Sequence, residues 1–300
     1  MISPAAGPEQ ARRNEWETDF LSNVSDHLGK WILIDNRLTE KECEHVFEIV
    51  ETHRSTAFCF AVIDPYEEWC RDHWYYQLLF SVAGKENVFF LSKYTPDEVV
   101  EDIRRQAGTD KMVVVPYPYP RKQEATTSWE VKDDKIFFSG NQDANVYPYR
   151  YKFNNVAKYW PFAYDKVAEL EHPGYPDIGH EKKHDIIGKE YVEEISHYQF
   201  MFVSPSRCHL EFLKYGECAA AGSVPIGVAP NTFNEAMAEP FVELNFDSYF
   251  QLIRSIHRLS GMGKKEREER AVAYREAMKK YRSPDRLNER LDAFIDTVWS

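Results

Sequence analysis

The chain has 300 residues, of which 43% are hydrophobic and 15% aromatic, a composition that excludes a disordered chain and permits sizeable cores. This length exceeds the size at which a single core usually keeps growing, so we expect two domains. The formal net charge of −12 argues against a general binder of nucleic acid or anionic membranes, because no basic excess is present to neutralise phosphates.

Strand-like and helix-like segments alternate through the first part of the chain. The apolar, strand-like runs lie at residues 30–37, 56–64, 87–94 and 111–120. The helix-like segments between them lie at residues 40–54, with Thr39 as the N-cap, at 65–84, which includes Asp72 and His73, and at 95–108. Four strands connected by three helices in this way predict a parallel sheet that is covered on both faces.

A polar stretch at residues 121–134 interrupts this alternation and is interpreted as a linker into a second domain. Strand-like runs follow at residues 135–140, 199–206, 223–228 and 241–245. Helix-like segments lie at residues 151–160, 188–198, 207–221, 246–261, 264–281 and 285–299, and Ser283 with Pro284 forms a typical start for the last of these.

The pattern therefore predicts an α/β fold with two halves that face a cleft. Residues 20–125 form the first domain and residues 126–282 the second. Ligands of open parallel sheets bind outside the carboxyl ends of the strands, so two such edges would make a site for two substrates.

The segment Ser204 to Val228, SPSRCHLEFLKYGECAAAGSVPIGV, has the pattern of a strand end followed by a helix. Such a position offers free N–H groups and the positive end of a helix dipole to an anion, here beside Ser204 and Ser206. On one continuous helix, Glu211, Lys214 and Glu217 would fall within an arc of about 120°. The three charges either line the cleft or are only solvated surface.

A second segment with similar properties follows the first strand of the second domain. Ser139, Gly140 and Asn141 end the strand, and Arg150 and Lys152 come shortly afterwards. Glycine lets a backbone approach a phosphate closely, and arginine can form two parallel hydrogen bonds to a diphosphate. The alternative is that the two basic residues are ordinary surface residues at a helix start.

These segments resemble the donor-binding region of glycosyltransferases with the GT-B fold, in particular exostosin-like and fucosyltransferase-like members. The matching positions are Ser204, Ser206, Arg207, Glu211, Lys214, Glu217 and the run AAAGSVPI at residues 219–226. The resemblance implies that one of the two glutamates binds the ribose, while basic groups and helix N–H groups hold the diphosphate. Gly140, Asn141, Arg150 and Lys152 are the implied donor contacts of the other segment.

The resemblance also implies a fold and an activity. The expected fold is two Rossmann-like domains, with the C-terminal helix at residues 283–300 packing back on the N-terminal domain. The expected activity is transfer of a sugar from a nucleotide-diphosphate donor, such as a UDP- or GDP-linked sugar, to a hydroxyl group of a glycan. The alternatives are another nucleotide-sugar or sugar-phosphate enzyme and a non-catalytic sugar- or nucleotide-binding protein.

No cofactor and no metal ion are expected, because the chain has no Asp-x-Asp motif of the kind that holds a divalent ion against a diphosphate. The expected transfer inverts the anomeric configuration and therefore needs a general base for the acceptor hydroxyl. Asp64 at a strand end is the first candidate, followed by His73 and Asp72 and then Asp35. A retaining transfer would need none of them.

Two absences in the sequence bear on location. No apolar run is long enough to span a bilayer, and the first 20 residues lack the apolar core of a signal peptide. The five cysteines have no metal-ligand spacing and are odd in number, which is typical of reduced thiols. We therefore expect a cytoplasmic protein.

Overall fold

The computed structural model describes residues 31–34, 38–62, 72–93, 98–160, 165–171, 186–206 and 210–299. The chain divides into two compact units, one made of Met1–Pro116 with Arg290–Ser300 and the other of Tyr117–Glu289. No helix in the described ranges is long and apolar enough to cross a membrane.

The first unit contains a parallel sheet with strand order β1-β2-β3-β4. Its elements in chain order are β1 (Trp31–Ile34), α1 (Glu40–Thr52), β2 (Ala57–Val62), α2 (Trp74–Val82), β3 (Val88–Ser92), α3 (Glu98–Ala107) and β4 (Met112–Val114). All four strands were predicted from apolar runs. Helix α1 begins as predicted, because Thr39 and Glu42 form a capping box.

Helix α2 differs from the prediction of one helix from residue 65. It begins only at Trp74, because His73 has an extended backbone and its Nδ1 accepts a hydrogen bond from the Tyr75 backbone N–H over 3.2 Å. Asp72 and His73 therefore precede the helix instead of lying within it. Residues 65–71 lie outside the described residues.

The second unit contains a five-stranded parallel sheet with order β6-β5-β7-β8-β9. Its strands are β5 (Asp133–Ser139), β6 (Val167–Leu170), β7 (Tyr198–Val203), β8 (Val224–Gly227) and β9 (Val242–Glu243). Its helices are α4 (Pro148–Tyr159), α5 (Lys189–Ile195), α6 (Leu213–Ala221), α7 (Glu235–Ala238), α8 (Tyr249–Leu259) and α9 (Lys264–Tyr281). The sequence predicted neither β6 nor α7.

The order of these strands creates a switch point. From β5 the chain adds β6 on one side, and it then returns to add β7, β8 and β9 on the other side. Counted within the unit, this is the doubly wound order 2-1-3-4-5, in which ligands bind where the strand order reverses. That point is the carboxyl end of β5 and β7, at Ser139 and Val203.

Side chains of the central strands alternate between two cores. On one face Phe137, Met201 and Val203 are buried with residues of α5, α6 and α9. On the other face Phe138 and Phe202 are buried with residues of α4 and α8. The alternation is the period of two expected for strands covered on both faces.

The polar stretch at residues 121–134 is not an open linker. Ala125, Trp129 and Lys132 are buried in the second unit, and strand β5 already begins at Asp133. The units divide after Pro116, whereas the sequence placed the boundary after residue 125. Tyr119 is also buried, and its backbone N–H donates to the Arg282 carbonyl over 2.7 Å. The segment that enters the second unit is thus paired with the segment that leaves it.

The last helix, α10 (Pro284–Trp299), begins where the sequence predicts it, since Ser283 Oγ accepts from the Arg286 backbone N–H over 3.2 Å. Its residues from Arg290 onward belong to the first unit, where Phe294 packs against Phe89. This agrees with the expected return of the C-terminal helix to the N-terminal domain.

The end of α6 is fixed by residues from several elements. Gly222 has the left-handed conformation, with φ of 64°, and ends the helix as predicted. Arg275 of α9 donates to the carbonyls of Ala219 and Ala220, and Lys132 donates to the carbonyl of Ala221. The carbonyls that every helix leaves without an internal partner are therefore satisfied by cations, and α6 is held rigidly.

Gly227 at the end of β8 offers a test of the strand packing. A Cβ atom there would overlap the Val203 carbonyl oxygen of β7, and φ is 130°, a value that side chains disfavour. We expect Gly227→Ala to lower the free energy of unfolding by about 2 kcal/mol or more. Gly263→Ala is the control, since nothing lies within 4 Å of the added Cβ atom. Equal unfolding curves for the two variants in urea would contradict the packing described.

Candidate functional site

The candidate site lies at the switch point of the second sheet. Ser139 ends β5, and Gly140 follows it directly. Helix α4 contributes Arg150 and α6 contributes Lys214, and a Cβ atom at Gly140 would lie 3.1 Å from Arg150 Nη1 and 3.3 Å from Lys214 Cε. With φ of 108° and two cationic side chains this close, only glycine fits the position.

Arg150 is buried, with 6% of its surface exposed. Its guanidinium lies over the ring of Tyr147, with 4.2 Å from Cζ to the centroid, and it is 5.4 Å from the centroid of Phe212. Aromatic faces attract a guanidinium through the quadrupole of the ring. The alternative that Arg150 is an ordinary surface residue at a helix start is therefore wrong.

Lys214 is held by uncharged groups. Its Nζ donates to Ser139 Oγ over 2.7 Å and to the Tyr191 hydroxyl over 2.6 Å, and it lies 4.7 Å from the centroid of the Tyr191 ring. Burial lowers the pKa of Lys214 to about 7, and the charge of Arg150 adds to this effect while Glu217 opposes it. Because burial disfavours the charged form of the amine, a nearby anion would favour that form.

Glu217 is buried on α6, with 7% of its surface exposed. Within the described part of the chain, no hydrogen bond or ion pair involves its carboxylate. Burial raises the pKa of Glu217, and the charge of Lys214 acts in the opposite direction. A carboxylate in this state can accept hydrogen bonds from hydroxyl groups of a ligand. It is not the solvated surface charge that was the alternative prediction.

Glu211 does not share a helix face with Lys214 and Glu217, which corrects the predicted arc. Helix α6 begins at Leu213, since Phe212 is extended, with φ of −110° and ψ of 163°, and serves as the N-cap position. Glu211 is 2% exposed, and both carboxylate oxygens are bound. Arg282 donates to them over 3.1 and 2.8 Å, and Thr232 Oγ1 donates over 2.6 Å. Glu211 is thus committed to a buried ion pair.

The two serines after β7 are also displaced from the predicted position. Ser204 and Ser206 are buried, but neither lies at the amino end of α6 because that helix begins only at Leu213. The Ser204 hydroxyl is inaccessible and has no hydrogen-bond partner among the residues described. Arg207 lies outside the described residues.

Asn141 and Lys152 serve other contacts. Asn141 Oδ1 accepts from the Asp143 backbone N–H over 2.9 Å, which shapes the loop after β5. Lys152 Nζ donates to the Phe246 carbonyl over 3.2 Å, in the loop after β9. The structure therefore brings Gly140, Arg150, Lys214 and Glu217 of the predicted donor contacts to one place, and Lys152 binds elsewhere.

The candidate acceptor bases belong to the first unit. His73 caps α2 through Nδ1, and burial lowers its pKa, so the neutral ring that accepts the N–H is favoured. Asp72 is exposed. Asp64 and Asp35 lie outside the described residues. The role of each as a base stays a prediction.

Tyr191 is the site residue that the sequence did not reveal. It lies on the buried face of α5, where a tyrosine in an apolar pattern indicates only core packing. Its hydroxyl also bonds to Ser139 Oγ, so three side chains from β5, α5 and α6 form one network. No group of three His, Cys, Asp or Glu side chains that could hold a metal ion occurs in the described ranges.

Comparisons with known proteins give a fold and no family. No protein-family model matches the chain, and no curated protein matches its sequence. Among solved structures, the UDP-forming α,α-trehalose-phosphate synthase of Burkholderia xenovorans aligns with a TM-score of 0.62 and 10% identity over 98% of this chain and 80% of that chain. The E. coli trehalose-6-phosphate structure bound with UDP-2-fluoro glucose aligns with a TM-score of 0.59 and 12% identity. This alignment covers 97% of this chain and 79% of that chain.

A trehalose-6-phosphate synthase studied for glycosyl transfer with retention aligns with a TM-score of 0.60 and 14% identity over 97% of this chain and 79% of that chain. At these identities the likeness concerns the fold alone. It confirms the predicted α/β fold of the GT-B type.

The free energy of unfolding can distinguish the roles of Glu211 and Glu217. We expect Glu211→Gln to lower the free energy of unfolding by about 3 kcal/mol, because it leaves the Arg282 charge buried without its partner. Glu217→Gln should change it by less than about 1 kcal/mol, because that carboxylate has no hydrogen bond within the described part of the chain. Urea unfolding of both variants measures this difference. An equal loss in the two would contradict the assignment of Glu211 as structural and Glu217 as available.

Proposed function

We propose that this chain is a glycosyltransferase that moves a sugar from a nucleotide-diphosphate sugar to a hydroxyl group. The diphosphate would bind to Arg150 and Lys214 at Gly140, and the ribose to Glu217. The observation that carries this proposal is the meeting of two cationic side chains beside Gly140, next to a buried carboxylate, at the switch point of a doubly wound sheet.

The cations suit a multivalent anion for a physical reason. Arg150 and Lys214 lie close together beside Gly140, where the charge of Arg150 disfavours that of Lys214, and a multivalent anion bound between them would relieve this repulsion. A guanidinium binds two phosphate oxygens at once, and an ammonium adds a point charge. The same groups would stabilise the charge that develops on the departing nucleoside diphosphate, which is the main electrostatic demand of the transfer.

Glu217, and not Glu211, is proposed for the ribose. The sequence resemblance left the choice open between two glutamates. Both oxygens of Glu211 are already bound by Arg282 and Thr232, so new ligand contacts would break a buried ion pair. The Glu217 carboxylate could accept hydrogen bonds from two neighbouring hydroxyl groups of a sugar without breaking any described contact.

The structural neighbours support UDP as the nucleotide, since one is described as UDP-forming and another binds UDP-2-fluoro glucose. They also make a sugar phosphate a second candidate acceptor beside the glycan hydroxyl that the exostosin-like and fucosyltransferase-like resemblance implies. Inversion requires a base such as Asp64, Asp72 or His73, whereas the retention described for one neighbour requires none. The anomeric configuration of the product, read by proton NMR, distinguishes the two.

A non-catalytic binding protein would bind the same nucleotide without turnover. Slow release of UDP from UDP-glucose in the absence of acceptor is the expected sign of an enzyme. A chain that binds UDP but neither hydrolyses the donor nor transfers its sugar to any acceptor in a panel would support the binding protein instead.

Calorimetric titration of UDP tests the proposed donor site. We expect Glu217→Gln to weaken UDP binding roughly 10- to 150-fold, because a charge-assisted hydrogen bond contributes about 1.5–3 kcal/mol. Binding of inorganic pyrophosphate, which has no ribose, should change much less. Glu235→Gln, at an exposed position of α7, is the control. Equal UDP affinity in wild type and Glu217→Gln would contradict the ribose assignment.

Metal independence is proposed from the same geometry, since Arg150 and Lys214 would supply the positive charge that a divalent ion supplies elsewhere. We expect transfer in excess EDTA to keep most of its rate. A metal-dependent glycosyltransferase assayed in parallel should lose its activity. Loss of activity that manganese or magnesium restores would show that the two cations are insufficient.

A further inference from the structure

Lys214 and Glu217 are three residues apart on α6, a spacing at which opposite charges on a helix commonly pair. No ion pair or hydrogen bond joins them in the described part of the chain. The amine instead donates to Ser139 and Tyr191, although neither carries a charge. The contacts with Ser139 and Tyr191 therefore keep the Lys214 amine away from the Glu217 carboxylate on the same helix.

Tyr191 restrains Lys214 through both its hydroxyl and its ring. Its hydroxyl accepts from Lys214 over 2.6 Å and bonds to Ser139, and its ring lies beneath the amine at 4.7 Å. The residue is itself fixed, with 7% of its surface exposed and its ring packed edge-on against Phe137. A rigid hydroxyl on a neighbouring helix thus sets the position of a flexible lysine.

We infer that Tyr191 is a positioning residue: its hydroxyl, together with Ser139, holds the Lys214 amine at Gly140 and keeps it from pairing with Glu217. What the two separated charges bind rests on the proposed function. The separation leaves one charge for a diphosphate and the other for a ribose. Pairing would neutralise both.

When the Tyr191 hydroxyl is removed, the charges around Lys214 favour its pairing with Glu217. Arg150 on α4 repels the amine from Gly140, whereas Glu217 on α6 attracts it. Among the described residues of α5 and β5, the hydroxyls of Tyr191 and Ser139 accept hydrogen bonds from the amine. In a poorly solvated site these interactions are stronger than at the surface. Without the Tyr191 hydroxyl as an acceptor, the Lys214 amine would move toward the Glu217 carboxylate.

The test uses four forms of the full chain: wild type, Tyr191→Phe, Glu217→Gln and the double variant. Inorganic pyrophosphate is titrated into each by calorimetry. We expect Tyr191→Phe to weaken binding on the order of 10-fold. In the Tyr191→Phe background, Glu217→Gln should restore most of the lost affinity, because it removes the competing charge.

Tyr198→Phe is the matched control. Tyr198 stacks on the same Phe137, but its hydroxyl bonds to Glu194 over 3.1 Å and has no contact with Lys214. Its loss should leave pyrophosphate affinity unchanged. Ser139→Ala removes the other acceptor of Lys214 and should weaken binding in the same rescuable way, which provides a second variant if Tyr191→Phe does not fold.

A second readout needs no ligand. The pKa of Lys214 can be followed through the ¹³Cε resonance in lysine-labelled protein. It should rise above its wild-type value in Tyr191→Phe, because pairing with Glu217 favours the ammonium. The pKa of Lys214 should rise less in the double variant, because the Glu217 carboxylate is absent there.

The outcomes separate the two proposals. Wild-type affinity in both Tyr191→Phe and Ser139→Ala, a double variant as weak as Tyr191→Phe, or an unmoved Lys214 titration would overturn the positioning role. A wild-type chain that binds neither UDP nor pyrophosphate would refute the proposed function alone, and the Lys214 titration would then decide the positioning role by itself.

Discussion

A charge that is taken out of water must find a partner inside the protein or stay available to a ligand. The second unit contains both cases. Glu211 and Arg282 satisfy each other, and Lys132 satisfies the carbonyls of Ser196 and Ala221. Glu217, at the open end of the same sheet, has no such contact among the described residues. The contrast separates the charges that are paired within the fold from the Glu217 carboxylate, which has no described hydrogen bond.

Local signals in the sequence were enough for most of the architecture. Apolar runs marked eight of the nine described strands, and Thr39, Ser283 and Gly222 marked helix ends because a cap acts within one turn of its own residue. The strand order of the second sheet could not be predicted. It depends on β6, a four-residue strand with partly exposed side chains that carries no apolar pattern.

The candidate site was predicted in part, and the errors share one cause. Gly140, Arg150, Lys214 and Glu217 belong to segments whose strand-end and helix patterns are local. Glu211 was misassigned because its partner, Arg282, lies 71 positions away in the chain. Tyr191 was missed because a hydroxyl on the buried face of a helix gives no sign of what it contacts. Long-range partners decide whether a polar residue is structural or available, and a single sequence does not contain them.

The hydrogen bond between Tyr119 and Arg282 has a consequence for how the chain is connected. The second unit is inserted into the first, since residues on both sides of it belong to the first unit. Close to its two ends, the Tyr119 N–H donates to the Arg282 carbonyl over 2.7 Å. Domains whose ends lie close together commonly tolerate circular permutation. The second unit could therefore be reopened at a surface turn and joined across Tyr119 and Arg282 with the order of its five strands unchanged.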